Sequence, residues 1–365
     1  MLVQSGVFDD ARIRREVETL AADGHQITVV GARSPTGPQA PLPADVLFVS
    51  EGPAGSRSFE AKGMRLVRWL LLPEYRLLRQ RRFRRDIIAR ARTIDFDVVV
   101  CHDYPTLAAG VALAAGRPVI YDSHECWYGR LRHGRPEPVR RLRQLLSERR
   151  LVAHCESVIT VSAELEDWIR QRLAPRNTFV VRNSFPTVVP APTPPPHPTG
   201  MVYAGRIAAG RDLETAFAAT LPRGVALTLV GPVEPGFSIP AGVHYEGVME
   251  IDSISTVLVQ GGLALVSLAD TCLNHRLALP NKVFQAVASG IPVVAADLPA
   301  LRRLVEEHGI GTLYRPGDSG SLAAATAEAV GRYHELKERV IAAQGALSWD
   351  RDARCLRSVY RDVPR

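Results

Sequence analysis

The chain has 365 residues, 46% hydrophobic and 23% charged, with a formal net charge of +7. This length supports two domains that each bury a core, and the composition is that of a soluble globular protein. No apolar run nears the roughly 18 residues of a membrane span, and five scattered cysteines lacking any Cys-x-x-Cys pair argue for reduced thiols in a cytoplasmic compartment and against structural zinc.

From the first residues, strands and helices alternate. "MLVQSG" reads as a strand that starts at once, with no secretory leader, and ends at Gly6. "DDARIRREVETLAADG" predicts a helix capped by Asp9 or Asp10, with Ile13, Val17, Leu20 and Ala21 turned inward and Gly24 at its end. The segments "QITVVG", "DVLFVS", "FDVVVC", "RPVIYD", "SVITVS" and "TFVVR" follow as short apolar strands, most of them separated by helical stretches. That order predicts a parallel sheet covered by helices.

Charge is unevenly shared. Residues 1–185 hold 29 Lys and Arg against 21 Asp and Glu, and the remainder hold 16 against 17. The excess lies in "RLVRWLLLPEYRLLRQRRFRRDIIARAR" (65–92) and in 130–150. Such a basic half is either a solvated face or a surface for phosphates or an anionic membrane. No nucleic-acid module accompanies it, so no nucleic-acid partner is expected.

Two histidine sites follow apolar strands. "VVVCHDY" sets His102 and Asp103 at a strand end, and "VIYDSHECW" does the same for Asp122, His124 and Glu125. A histidine in a strand-end loop is well placed for chemistry. The carboxylates of Asp122 and Glu125 are expected to orient His124 and raise its pKa. No His-x-x-Glu-His or paired Asp-x-Asp follows, so the case for metal ligation is weak, and no Gly-x-Ser-x-Gly elbow appears.

"FPTVVPAPTPPPHPTG" (185–200) is too rich in proline for a helix or central strand and predicts a stiff connector. The expected organisation is a first domain over 1–185, a linker over 186–200, a second domain over 201–345, and a last helix over 346–365 returning to the first. In the second half the strands are "GMVYAG", "VALTLVG", "GVHYEG", "GLALVSL", "IPVVAA" and "GTLYR", with helices over 211–220, 250–260, 280–289, 299–307 and 319–343. Two such domains leave a cleft, and ligands of these sheets bind beyond the carboxyl ends of the strands.

Two motifs fall at those ends. In "YAGRIAAGRDLE", Gly205 lets the backbone turn, Arg206 follows, and Arg211 stands at the next helix start. Two guanidiniums beside a helix N-terminus suit a diphosphate. The plainer alternative is a pair of surface arginines, one held by Asp212 or Glu214. In "LPNKVFQAVASGIPVVAADLP", Pro280 suits the first helical position and Gly290 the stop. Asn281, Lys282 and Gln285 share one face, opposite Val283, Phe284, Val287 and Ala288. A helix front carrying an amide, an amine and another amide is suited to an anion, with Gln285 free to bond a sugar hydroxyl.

Taken together, these pieces resemble a glycosyltransferase of family 4, with the two-Rossmann-domain GT-B fold. The resemblance runs through "DDARIRREVETLAADGHQITVVG", "CHDYPTLAAGVALA", "VIYDSHE", "ITVSAELEDWI", "VVRNSFP", "VYAGRIAAGRDLE", "LPNKVFQAVASGIPVVAADLPALRRLV" and "ALSWDRDARCLRSVY". It implies two Rossmann-like domains facing each other across a cleft. It also implies a retaining, metal-independent transfer of a sugar from a UDP- or GDP-sugar to an acceptor hydroxyl, with no permanently bound cofactor. By the same resemblance, Arg206 and Arg211 hold the diphosphate, and Lys282 with the backbone before it assists. His124 stands near the reacting sugar, and Gly6 lies beside the diphosphate. His102, Asp103 and Glu125 fall on the acceptor side.

The sequence departs from the family pattern at four points, one being the first loop, which has only Gly6 where many members have two glycines. Arg211 stands where lysine is usual, and the Glu-x7-Glu pair of many members is replaced by Leu277 and Gln285. A small-molecule or lipid-linked acceptor is implied, in cell-envelope or secondary-metabolite glycosylation. Cytoplasmic residence follows, with the basic half as a contact for the inner membrane face. A sugar-nucleotide epimerase of the same fold, or a nucleotide-sugar-binding protein without catalysis, are the competing readings.

Overall fold

The computed structural model describes residues 1–8, 10–32, 41–49, 78–131, 138–187 and 194–361. Asp9, residues 65–77 of the basic stretch and residues 188–193 of the proline-rich connector lie outside them. The chain forms two compact units, one of residues 1–181 with 353–365, the other of residues 182–352. The division falls within the stretch leading into the connector and again inside the last helix, Trp349–Arg361.

The first unit is built on β1 (Leu2–Gly6), β2 (Thr28–Ala32), β3 (Asp45–Val49), β4 (Val99–His102), β5 (Val119–Ser123), β6 (Ser157–Thr160) and β7 (Thr178–Val180). Their order across the sheet is β3-β2-β1-β4-β5-β6-β7, and every pairing is parallel. Strand order reverses between β1 and β4, which makes that junction the switch point of a doubly wound sheet. The helix Ala11–Ala22 is capped by Asp10, whose carboxylate accepts the Arg12 backbone N–H at 3.0 Å. Its Ile13 and Val17 pack with Val3, Val7, Val29 and Leu42, each buried aliphatic side chain contributing roughly 1.5–3 kcal/mol.

The second unit repeats this plan with β8 (Gly200–Ala204), β9 (Leu227–Val230), β10 (His244–Tyr245), β11 (Gly262–Val266), β12 (Val293–Ala296) and β13 (Gly311–Tyr314). The order is β10-β9-β8-β11-β12-β13, again wholly parallel, with its switch point between β8 and β11. β11 and β12 are buried along their whole length, which is why they read as continuous apolar runs.

Several local expectations are corrected. The stretch 319–343 is two helices, Ser319–Gly331 and Tyr333–Ala343, because Gly331 weakens the helix and Arg332 leaves helical geometry at φ −105°, ψ 16°. Pro280 precedes the helix Asn281–Ala288 in an extended conformation (φ −70°, ψ 145°) instead of occupying its first turn. A short helix, Leu273–Leu277, lies where none was expected.

One buried polar pair in the first sheet has a measurable consequence. The Tyr121 hydroxyl donates to Glu148 Oε1 at 2.8 Å, and both residues are buried. Burial pushes the Glu148 carboxyl up to about 7. A carboxyl whose folded value lies above its unfolded value stabilises the fold fully below the unfolded pKa, near 4.3, and loses that contribution as pH rises toward 7. Glu148→Gln is therefore expected to flatten this decline. Urea unfolding at pH 4 and pH 8 should show the variant gaining on the parent by on the order of 3 kcal/mol across that range. Parallel pH profiles would remove the assignment.

Candidate active site

The carboxyl ends of β4 and β5 lie side by side, with His102 in register with Asp122. Both side chains are buried, and Arg12, brought in by the first turn of its helix, is fully buried against them. Arg12 grips Asp122 through two parallel bonds, Nε to Oδ2 and Nη2 to Oδ1, both at 2.9 Å. Its third arm donates to the Val181 carbonyl at 2.8 Å. This fork matches a carboxylate in a way lysine cannot.

His124 joins the same carboxylate, its Nε2 3.0 Å from Asp122 Oδ2. His102 Nδ1 lies 3.2 Å from that oxygen and 3.3 Å from His124 Nε2. Glu16 sits one helical turn from Arg12, 2.8 Å from its Nε, and 3.8 Å from His102 Nε2. Burial opposes every charge here, so the pairings decide which survive. Against burial, Arg12 and His124 hold Asp122 well below the usual carboxylate range. Also against burial, Asp122 and Asp103 raise His124 to about 10. Burial, reinforced by Asp122, raises Glu16 well above its ordinary value, and burial lowers His102. At neutral pH the cluster thus holds a protonated His124 on an ionised Asp122, beside a neutral His102 and a Glu16 whose carboxyl is held above its ordinary range.

Asp103 positions the loop that carries His124. Its backbone has φ 64° and ψ 160°, a conformation costly for a residue with a side chain. Surrounding bonds enforce it. Asp103 Oδ1 accepts the His124 backbone N–H at 3.1 Å and the Trp127 indole N–H at 3.0 Å, while the Asp103 N–H donates to the Asp122 carbonyl at 2.8 Å. Glu125, expected to orient His124, turns to Arg130 instead, at 3.0 Å on the surface; Asp103 has the expected role of Glu125. His102, Asp122 and His124 bring three potential ligand atoms within 4.8 Å of one another. Both Asp122 oxygens already accept guanidinium bonds, so a metal ion there would face the charge of Arg12. Gly6 ends β1 at the same edge of the sheet.

In the second unit the corresponding edge is cationic. Beyond β8, Gly205 adopts φ 144°. A Cβ added to Gly231, at the end of β9, would fall 2.3 Å from the Gly205 carbonyl oxygen, so the two strand ends meet backbone to backbone. Lys282, half-buried in the first turn of the helix Asn281–Ala288, sets its ammonium 3.9 Å over the Tyr203 ring. A Cβ on Gly205 would lie 3.5 Å from the same Nζ. Burial, and then the nearby charge of Arg211, push Lys282 well below the usual lysine range. Among the described residues neither Lys282 nor Arg211 pairs with a carboxylate. Asp212, a partner only in the plainer surface-arginine alternative, is engaged by the Tyr314 hydroxyl (2.9 Å), the Thr215 hydroxyl (2.7 Å) and the Gly317 N–H (3.2 Å). His275 adjoins this group, with Nδ1 2.7 Å from the Ala269 carbonyl oxygen. Burial disfavours its charge, but its bonds to Cys272 and Ala269 raise its pKa.

The other residues expected here are distributed differently. Arg206 is exposed and pairs with Glu234 at 2.7 Å, while its backbone carbonyl accepts from Tyr203. Asn281 is exposed at the helix front. Gln285, expected on the open face with Asn281, is buried, because the helix is covered from Val283 through Ala288. Arg12, Tyr203, Gly231 and His275 were missed. Only Arg12 left a signal: its four-residue spacing from Glu16 sits among inward-facing positions.

Residues 11–188 match the model of Glycosyltransferase Family 4, and residues 200–331 match that of Glycosyl transferases group 1. The chain is 26% identical over 355 residues to a glycogen synthase from Mycobacterium tuberculosis, covering 91% of this chain and 84% of that protein. Among solved structures it is similar to a sucrose-phosphate synthase from Thermosynechococcus elongatus, with TM-score 0.72, 18% identity and coverage of 96% and 92% of the two chains. It is also similar to Anabaena Alr3699/HepE in complex with UDP, with TM-score 0.68, 16% identity and coverage of 99% of each chain. With one family match on each of its two doubly wound units, this chain belongs to the family 4 glycosyltransferases and has the GT-B fold.

Proposed function

We propose that this glycosyltransferase takes its sugar from a nucleoside diphosphate sugar and transfers it with retention of anomeric configuration. One observation carries the donor class: Arg211 and half-buried Lys282 lie together at the carboxyl edge of the second sheet without a carboxylate partner among the described residues. Two cations held this way repel each other, and a diphosphate relieves that repulsion while gaining charge-assisted bonds. A UDP-bound protein among the similar structures agrees with this donor class.

The chemistry follows from where charge develops. As the anomeric carbon–oxygen bond breaks, negative charge accumulates on the departing phosphate. Fixed cations stabilise that state more than the ground state, and so lower the barrier. Arg211 and Lys282 supply this without rearranging, and the Gly205 backbone, at φ 144°, runs beside the Lys282 ammonium with no side chain between them. Arg206 reaches the same leaving group only by giving up Glu234, an exposed pair of small worth. On the acceptor side, His124 remains protonated against Asp122 and suits hydrogen bonding to an anionic or hydroxyl-bearing group.

Incubation with a panel of UDP-, GDP- and dTDP-sugars tests the reading. Slow release of the nucleoside diphosphate with free sugar, or transfer to an added acceptor, is the expected result, and NMR of the product should show the donor's anomeric configuration. A changed sugar still attached to its nucleotide would make the protein an epimerase. Tight binding with no turnover for any acceptor would make it a binding protein, the reading that Leu277 and Gln285 favour.

A further inference from the structure

The loops that follow β8 and β11 leave the second sheet on either side of its switch point, where doubly wound sheets bind their ligands. The two loops are bonded to each other, the Ala269 N–H donating to the Gly210 carbonyl at 3.2 Å. The first loop delivers Arg211, and the second delivers His275 in the short helix Leu273–Leu277. The imidazole is half-buried against the turn before Arg211, since a Cβ added to Gly210 would lie 4.0 Å from His275 Cε1. His275 Nδ1 lies 2.7 Å from the Ala269 carbonyl oxygen. A carbonyl only accepts, so Nδ1 keeps its proton, and the charge of the ring is decided at Nε2.

Burial and the Arg211 charge oppose a charged His275, while the Cys272 side chain and the Ala269 carbonyl favour it. The other charges around it are engaged. Asp270 accepts two bonds from Arg276, at 2.6 and 3.0 Å. The helix Pro299–His308 packs against the His275 helix. On it, Arg302 pairs with Asp297 at 2.5 Å and Arg303 with Glu307 at 3.9 Å, while Glu306 acts on Arg302 and Glu307 on His308. Among the described residues no carboxylate acts on the imidazole.

Given the nucleoside diphosphate donor proposed above, on which this assignment rests, we propose that His275 is a further binding residue of the donor site. Its Nε2–H donates to the diphosphate beside Arg211 and Lys282, so that the protein takes up a proton as the nucleotide binds. Without ligand, Arg211 repels a proton on Nε2. A bound dianion reverses the local field and gains a charge-assisted bond, where the neutral ring would turn a lone pair toward the phosphate oxygens.

Carbon-resolved NMR of the imidazole rings of the full chain, followed against pH with and without UDP, GDP or dTDP, whichever binds, tests this. The signal lost in His275→Asn identifies the ring. Its pKa is expected to rise by about one unit or more on binding, a tenfold linkage. Asparagine keeps a donor for the Ala269 carbonyl and places nothing at Nε2. His275→Asn should therefore bind about tenfold more weakly at pH 6 and approach the parent at pH 9. His275→Gln, with a neutral donor nearer Nε2, should recover part of the affinity. Calorimetry in buffers of different ionisation heat should show the parent taking up more protons than either variant. A ring pKa unmoved by the nucleotide, or equal affinity and proton uptake in parent and His275→Asn, overturns the assignment and leaves the donor class standing. If none of the three nucleotides binds the parent, the donor class falls and His275 falls with it.

Discussion

Arg211→Ala is expected to lower turnover by about 10² to 10³, the usual cost of removing one fixed donor from a developing oxyanion. The side chain stands at the carboxyl edge of the second sheet, close enough to Lys282 and His275 to disturb the protonation of both. Its loss leaves the leaving diphosphate with Lys282 as the remaining fixed cation. The ground state carries most of the diphosphate charge already, so donor affinity should fall as well, but by less than kcat. Isothermal titration with the nucleoside diphosphate and steady-state rates with the donor found active separate the two effects. Arg211→Lys should recover part of the rate, since it keeps the charge and loses the fork.

The pH dependence carries the same signature. In the free protein Lys282 loses its proton as pH rises through its lowered pKa. A bound dianion favours the charged form, so diphosphate affinity should decline over that pH range. Arg211→Ala removes one of the two influences that lower Lys282, and the decline should move to higher pH. Parent-like turnover together with an unmoved pH profile in Arg211→Ala would take Arg211 out of the site.

Arg12→Met carries the largest expected effect on stability, about 3–5 kcal/mol in the unfolding of the first unit. Arg12 is fully buried and supports Asp122, Glu16 and the Val181 carbonyl at once. Removing it leaves the buried, ionised Asp122 with His124 alone as its cation and one oxygen without its guanidinium bond, and that penalty exceeds what the lost bonds contribute. Urea unfolding followed by a probe confined to the first unit measures it. The second unit's transition should stay in place, because residues 182–352 form their own core. The double variant Arg12→Met/Asp122→Leu should recover part of the loss, since no orphaned charge remains. If the single variant unfolds where the parent does, the buried network is not what holds β4, β5 and the first helix together.

Much of this protein was legible in the sequence. The alternation of short apolar strands with helices placed β1 through β13. The signal was clearest for strands such as β11 and β12, because parallel strands buried on both faces need near-continuous apolar runs, and weakest for the exposed β10. The glycines after β8 and the family motifs marked the cationic edge, since both are local patterns that backbone chemistry imposes. Tertiary structure decided the rest. Arg12 and Asp122 are 110 residues apart in the chain, and only the placing of β5 two strands from β1, with the first helix seated beside β1, brings them into one buried pair. It also exchanged Asp103 for Glu125 beside His124, buried Gln285, and turned Arg206 to Glu234. Local spacing sets the periodicity of a helix or strand. Which side chains lose their water, and which charges then survive, depends on what the rest of the chain packs against them.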